Sequence, residues 1–303
     1  MKEKTAPIAM AIIFLSIQMI ALLIVPLFPA EYRLFEDPSD VGNPIIYIMI
    51  LFFITAFLLV LAKFRKRRLM KTIFLGAILI AITTVFFPLF YQLFNDLIIS
   101  FLIAIIPAAV MVALLVIRPE WYVVNAAAFL MGCGATAILG MSLGILPSIL
   151  LLVFLAIYDA IAVYGTKHMI TLAETVIALD MPAVFIMPKR GHFSLSSLKG
   201  NSIIADRSER EALFMGVGDA VIPGILVVSS YVFLPAQVGT ITNANLFVSI
   251  GSLIGGFCGY LSLAFLTEKG KPQAGLPFLN SGTIIGFVVS YILIFGGFGL
   301  GLV

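Results

Sequence analysis

The chain has 303 residues, 62% of them hydrophobic and only 11% charged, and its mean hydropathy is strongly positive. Such a composition describes helices that face lipid or a bundle core, and excludes an ordinary soluble domain. The formal net charge of +3, with basic residues gathered in a few loops, leaves no broad basic face for nucleic acid.

Apolar runs long enough to cross a bilayer follow one another along the chain. The first, Ala6 to Phe28, is long for a signal peptide and lacks a convincing cleavage site, so it is read as a span. The acidic loop Glu31 to Asn43 precedes a second span, Pro44 to Ala62, and then come Lys63-Phe64-Arg65-Lys66-Arg67-Arg68 and Lys71. A third span, Thr72 to Tyr91, is expected to be interrupted near Pro88. The fourth runs from Asp96 to Ile117.

The fifth span, Tyr122 to Leu143, is rich in glycine, which lets helix backbones approach closely. The sixth, Leu146 to Val163, contains Tyr158-Asp159. A long polar stretch, His168 to Arg210, follows. Within it Ile170 to Leu179 reads as an interfacial segment, Ala183 to Met187 as a short apolar piece and Lys189 to Lys199 as mobile. The seventh span, Ala212 to Leu234, contains Gly216-Val217-Gly218-Asp219. In the eighth, Asn245 to Leu266, Gly251, Gly255 and Gly259 recur every four residues and predict a close helix contact. The ninth begins near Leu276-Pro277. Cys133 and Cys258 sit in apolar runs and read as packing residues, not as a disulfide or metal pair.

Nine spans with a cytoplasmic N-terminus put nearly all Lys and Arg on the cytoplasmic side and only Arg33 outside, as the positive-inside rule requires. The expected fold is therefore an all-α polytopic membrane protein whose C-terminus faces outward. Residues 1–303 form one membrane domain, comprising a six-helix part (1–167), a cytoplasmic loop (168–210) and a three-helix part (211–303).

Asp159 and Asp219 are the only acids well inside long apolar runs, where each carboxylate costs about 2.5 to 3.5 kcal/mol on insertion scales. Asp159 lies eight residues before Lys167 and Asp219 nine after Arg210. At helical rise both stand about 12 to 14 Å from the cytoplasmic charges. If the sixth and seventh spans are neighbours, the two carboxylates face one another. Like charges held close cannot both stay ionised, so such a pair shares a proton. The ionised member then takes a proton from an attacking water, and the protonated member polarises the carbonyl. The two roles are interchangeable at this level, and the pair titrates as a unit. Gly216 and Gly218 remove bulk beside Asp219; helix packing alone is the plainer account of them.

Tyr158-Asp159, Gly216-Val217-Gly218-Asp219 and Ala274-Gly275-Leu276-Pro277 together resemble the marks of the presenilin and signal peptide peptidase family of intramembrane aspartic proteases. The third departs from the family's Pro-Ala-Leu, with Ala274 and Gly275 in place of Pro-Ala. The length and the mixture of features resemble a microbial, archaeal presenilin homologue. The resemblance implies an aspartic endopeptidase with Asp159 and Asp219 catalytic and Tyr158, Gly216, Gly218, Leu276 and Pro277 supporting the site or the substrate. It implies single-span membrane protein substrates with an outward N-terminus.

No metal or other cofactor is expected. His168 and His192 both fall in the long loop, and neither a His-Glu-x-x-His nor a Gly-x-Ser-Gly motif is present. The bilayer is the other partner, nucleic acid is not one, and self-association stays open. The rival reading is a proton- or cation-coupled transporter or ion-leak channel using the same aspartates, although no internal repeat relates the halves. For a protease, a cytoplasm-facing cavity must bring water to the pair. A locally unwound substrate is expected to pair with strand-like residues before the seventh span or near Ala274 to Pro277.

Overall fold

The structure, a computed structural model, describes residues 5–29, 32–63, 67–166, 184–188, 212–267 and 273–297. The segments Ile170 to Leu179 and Lys189 to Lys199, and both histidines, lie outside the described residues. Nine α-helices lie within them: α1 Thr5–Ile24, α2 Asn43–Lys63, α3 Arg67–Phe94, α4 Leu97–Ile117, α5 Trp121–Ser142, α6 Ile145–Ile161, α7 Val217–Phe233, α8 Ala244–Thr267 and α9 Gly275–Phe295. Seven helices among these residues are long and apolar enough to cross a membrane, and Ile98, Ile106, Ile117, Leu293 and many other large apolar side chains face outward. A multi-pass integral membrane protein accounts for both.

α7 is the centre of the bundle. It packs against α1, α5, α6, α8 and α9, and every residue from Pro223 to Ser230 is buried. Small residues on its neighbours permit this. A Cβ on Gly140 of α5 would fall within 2.6 Å of Val228 Cγ1, so only glycine lets α5 approach α7 there. α4, by contrast, fully buries only Ser100, Ala104, Ala108 and Leu115, with Met111 and Val112 half-buried beside them.

Three features differ from the sequence expectations. The third helix runs through Pro88 to Phe94 without interruption; neighbouring groups in a membrane bundle can satisfy the carbonyl that proline leaves unpaired. Cys258 is exposed on α8, while Cys133 is buried as expected. The seventh span does not begin as helix: Ala212–Gly216 forms strand β2, paired antiparallel with β1, Val184–Pro188. Hydropathy cannot separate the two states in a continuous apolar run, and the break comes at Gly216, which is extended (φ −61°, ψ 140°) and caps α7.

A second small hairpin, β3 Gln237–Val238 with β4 Ile241–Thr242, turns at Gly239 with φ +56°. The side chains of the first hairpin alternate between two clusters. Phe185, Met187, Leu213 and Met215 pack with the main core, and Ile186, Ala212 and Phe214 pack with Ile78, Ile82 and Val124 of α3 and α5.

Candidate active site

Asp159 lies in the last turn of α6, which passes at Ile161 into a π-helical turn, Ala162–Thr166, a local irregularity that often marks functional positions. Asp159 is 3% exposed. Its Oδ2 accepts the Leu276 N–H at 3.0 Å, and the Gly275 N–H also points to this carboxylate. The physical reason is the start of α9. The first amides of a helix have no partner within it, and Asp159 supplies one for two of them. Pro277, next in the first turn, has no amide to satisfy.

Asp219 occupies the first turn of α7 and is partly buried. Its carboxylate reaches back to the Gly216 N–H and is close enough to Asp159 to interact electrostatically. This is the return half of a capping box, with a side chain in the first turn holding the N-cap amide. A Cβ on Gly216 would stand 3.2 Å from Asp219 Oδ2, tighter than comfortable contact. Gly218 is exposed, and a Cβ there would meet only Ile222 Cδ1, at 3.8 Å. Open space therefore lies beside Gly218, the residue next to Asp219 in the chain.

The helical depth argument does not carry over unchanged, because strand rises about 3.3 Å per residue against 1.5 Å in helix and Ala212–Gly216 is strand. The aspartates are brought together instead by the side-by-side packing of α6 and α7 and by α9, which touches both. A Cβ on Gly275 would lie 3.6 Å from Asp219 Cγ, while the next residue's amide holds Asp159.

Of the remaining expected residues, Tyr158 is 45% exposed and meets Phe52 of α2 edge-on, with ring centroids 5.5 Å apart. Pro277 lines a groove of ≈ 850 Å³ between α8 and α9, together with Gly255, Cys258, Ser281 and Gly282; neither aspartate borders it.

Three polar residues not singled out from sequence organise the surroundings. Tyr164, in the π-helical turn, donates its hydroxyl proton to Gln273 Oε1 at 2.7 Å and accepts the Ala274 N–H at 3.4 Å. Asn280, one turn beyond Leu276, donates to the Leu152 carbonyl of α6 at 2.8 Å. Asn125 of α5 holds β1 through Ile186. A lone amide in an apolar helix, as at Asn125 and Asn280, is the signal that could have found two of them.

The departure at Ala274-Gly275 has a steric reading. A Cβ on Gly275 meets Asp219 and Leu263 Cδ2 at 3.6 Å, which is ordinary van der Waals contact. Ala274, at φ −67°, already has the backbone proline requires. Gly275→Ala and Ala274→Pro are expected to keep at least about half of the parent's cleavage rate, since Ala274→Pro loses only a long, weak hydrogen bond. A reporter-cleavage assay checks this; loss of activity in Gly275→Ala would mean that the space beside Asp219 is tighter than its geometry indicates.

The sequence profile described as Signal-peptide peptidase, presenilin aspartyl protease matches residues 10–296. Two similar solved structures are described as a presenilin family intramembrane aspartate protease, in C222 and P2 space groups. The first is 32% identical with a TM-score of 0.66, and the second is 35% identical with a TM-score of 0.68. Each alignment covers 94% of this chain and 97% of the other. Comparison with curated proteins finds no match.

Proposed function

Because the chain belongs to the Signal-peptide peptidase, presenilin aspartyl protease family, and is an intramembrane aspartic protease, we propose that Asp159 and Asp219 are its catalytic pair. The observation that carries this assignment is the start of α9, where Leu276 N–H holds Asp159 at 3.0 Å and Gly275 abuts Asp219. One helix end holds Asp159 by its amides and lies alongside Asp219.

In the reaction, the ionised carboxylate removes a proton from water as its oxygen attacks the scissile carbonyl carbon. The protonated carboxyl gives its proton to the carbonyl oxygen. The tetrahedral intermediate collapses as the C–N bond breaks and a proton passes to the leaving nitrogen. A new carboxyl terminus and a new amine result. Water reaches the pair through a cavity on the cytoplasmic side, consistent with the open space beside Gly218. Irregular backbone at membrane depth, such as β1 and β2, is tolerated where it lines such a cavity or is buried in protein.

The substrate is the transmembrane helix of a single-span protein, unwound near the scissile bond and paired as a strand with β2. Gly216 and Gly218 leave it room beside Asp219, Leu276 anchors the site, and Pro277 stiffens the start of α9. Tyr158 acts only by packing α6 against Phe52. Nine spans with the N-terminus in the cytoplasm agree with the distribution of Lys and Arg; the membrane is read as the plasma membrane of a microbe from the resemblance. Residues 1–167 and 211–303 make one domain whose two parts meet at the aspartates. Nothing in the family match favours transport.

The test is cleavage of single-span reporters by the purified protein in lipid, with products mapped by mass spectrometry. Cleavage within the membrane segment is expected. An inert parent across several reporters, combined with ion flux in vesicles that depends on Asp159 and Asp219, would overturn the assignment in favour of transport.

A further inference from the structure

Asn125 is the fifth residue of α5 and is 8% exposed. Its side-chain Nδ2 donates to the Ile186 carbonyl at 2.7 Å, and its Oδ1 accepts the Ile186 N–H at 2.9 Å. A carboxamide thus gives one strand residue the same pair of bonds that an adjacent strand would give.

This fixes which way the hairpin's backbone points. In an antiparallel ladder, successive residues direct both their N–H and C=O groups alternately toward the partner strand and away from it. Ile186 spends both groups on Asn125, so they point away from β2. Its cross-strand partner Phe214 must then point its own groups away from β1. Pro188, two residues beyond Ile186 and opposite Ala212, falls in the same outward class. There its missing N–H removes no ladder bond, as proline in a strand requires. The hairpin has two unlike edges: α5 closes that of β1 through Asn125, and β2 presents Phe214 between Ala212 and Gly216.

We propose that Asn125 is a positioning residue that sets the register of β1 against β2, and through it which substrate peptide bond reaches Asp159 and Asp219. The inference rests on the protease reading above. With Ile186 locked, an added strand pairs at β2 through Phe214, five residues before Asp219. A one-residue slip of the hairpin would turn Phe214's backbone groups inward and exchange the two side-chain faces. The alternate packing of Phe185 and Ile186 in separate clusters resists that slip. Asn125 adds a polar lock that apolar packing alone lacks.

The experiment compares the parent protein with Asn125→Leu, which has similar volume and neither bond, and Asn125→Asp, which keeps the acceptor but sets a carboxylate oxygen against the Ile186 carbonyl. Purified proteins in lipid cleave one single-span reporter, and mass spectrometry records the bonds cut. The expected result is cleavage spread over neighbouring bonds and roughly tenfold lower kcat/KM in Asn125→Leu, and the same spread in Asn125→Asp. A folded Asn125→Leu that cuts the parent's bonds in the parent's proportions overturns the inference. Should Asn125→Leu fail to fold, Asn125→Asp decides on the same readout. An inert parent would instead sink the protease reading, so the two failures are distinguishable.

Discussion

Asp159→Asn and Asp219→Asn each lower reporter cleavage by at least about 10³-fold, which is within reach for removal of a group that transfers protons in both halves of the reaction. The bundle stays folded in both. An asparagine oxygen at position 159 can still accept the Leu276 N–H that Asp159 holds at 3.0 Å, so the start of α9 keeps its anchor. Neither amide can take a proton from water or return one to the leaving nitrogen. Asp159→Ala behaves differently. It leaves the first amides of α9 without a partner, and a buried donor left unpaired costs about 1–3 kcal/mol. Thermal melting followed by circular dichroism should therefore separate Asp159→Ala from Asp159→Asn, while the cleavage assay finds both inactive. Retention of a tenth of the parent's rate by either Asn variant would remove that aspartate from the catalytic pair.

The helices were legible because lipid imposes a length and an apolar composition that few other structures share. The aspartates were legible for the converse reason, that a carboxylate in such a run is costly. Glycines four apart on α8 announced the contact that Gly251, Gly255 and Gly259 make with Ser290, Gly282 and Phe278 of α9. What the sequence hid was conformation inside an apolar run. Ala212-Leu213-Phe214-Met215 is as hydrophobic as the helix that follows, so the strand leaves no mark on hydropathy. Direction was hidden as well. Tyr158 adjoins Asp159 in sequence, but successive residues on a helix point about 100° apart, and Tyr158 meets Phe52 instead. Tyr164 and Gln273 are 109 positions apart, a pairing that only the assembled fold creates.

Gly255→Leu is expected to disable the enzyme without touching either carboxylate. On α8, a Cβ at Gly255 would overlap the Gly282 carbonyl oxygen and come within 2.7 Å of Gly286 Cα on α9. These are backbone atoms, which cannot rotate aside, so the helices must part. Parting them strains the hydrogen bonds across the seam, from Ser252 to the Thr283 carbonyl and from Ser290 to the Val248 carbonyl, each 3.2 Å. Overpacking of this kind costs about 1–3 kcal/mol, and more where the neighbour is rigid. The consequence for catalysis follows from α9, because the helix pushed outward is the one whose Leu276 amide holds Asp159 and whose Gly275 lies beside Asp219. Gly255→Ala should lower Tm, Gly255→Leu should lower it further, and cleavage should fall in the same order. Gly76→Ala is the control, since a Cβ there meets nothing within 4 Å. If Gly255→Leu melts and cleaves like the parent, the seam between α8 and α9 does not govern the position of α9, which must then be set by the π-helical turn through Tyr164 and by α6 through Asn280.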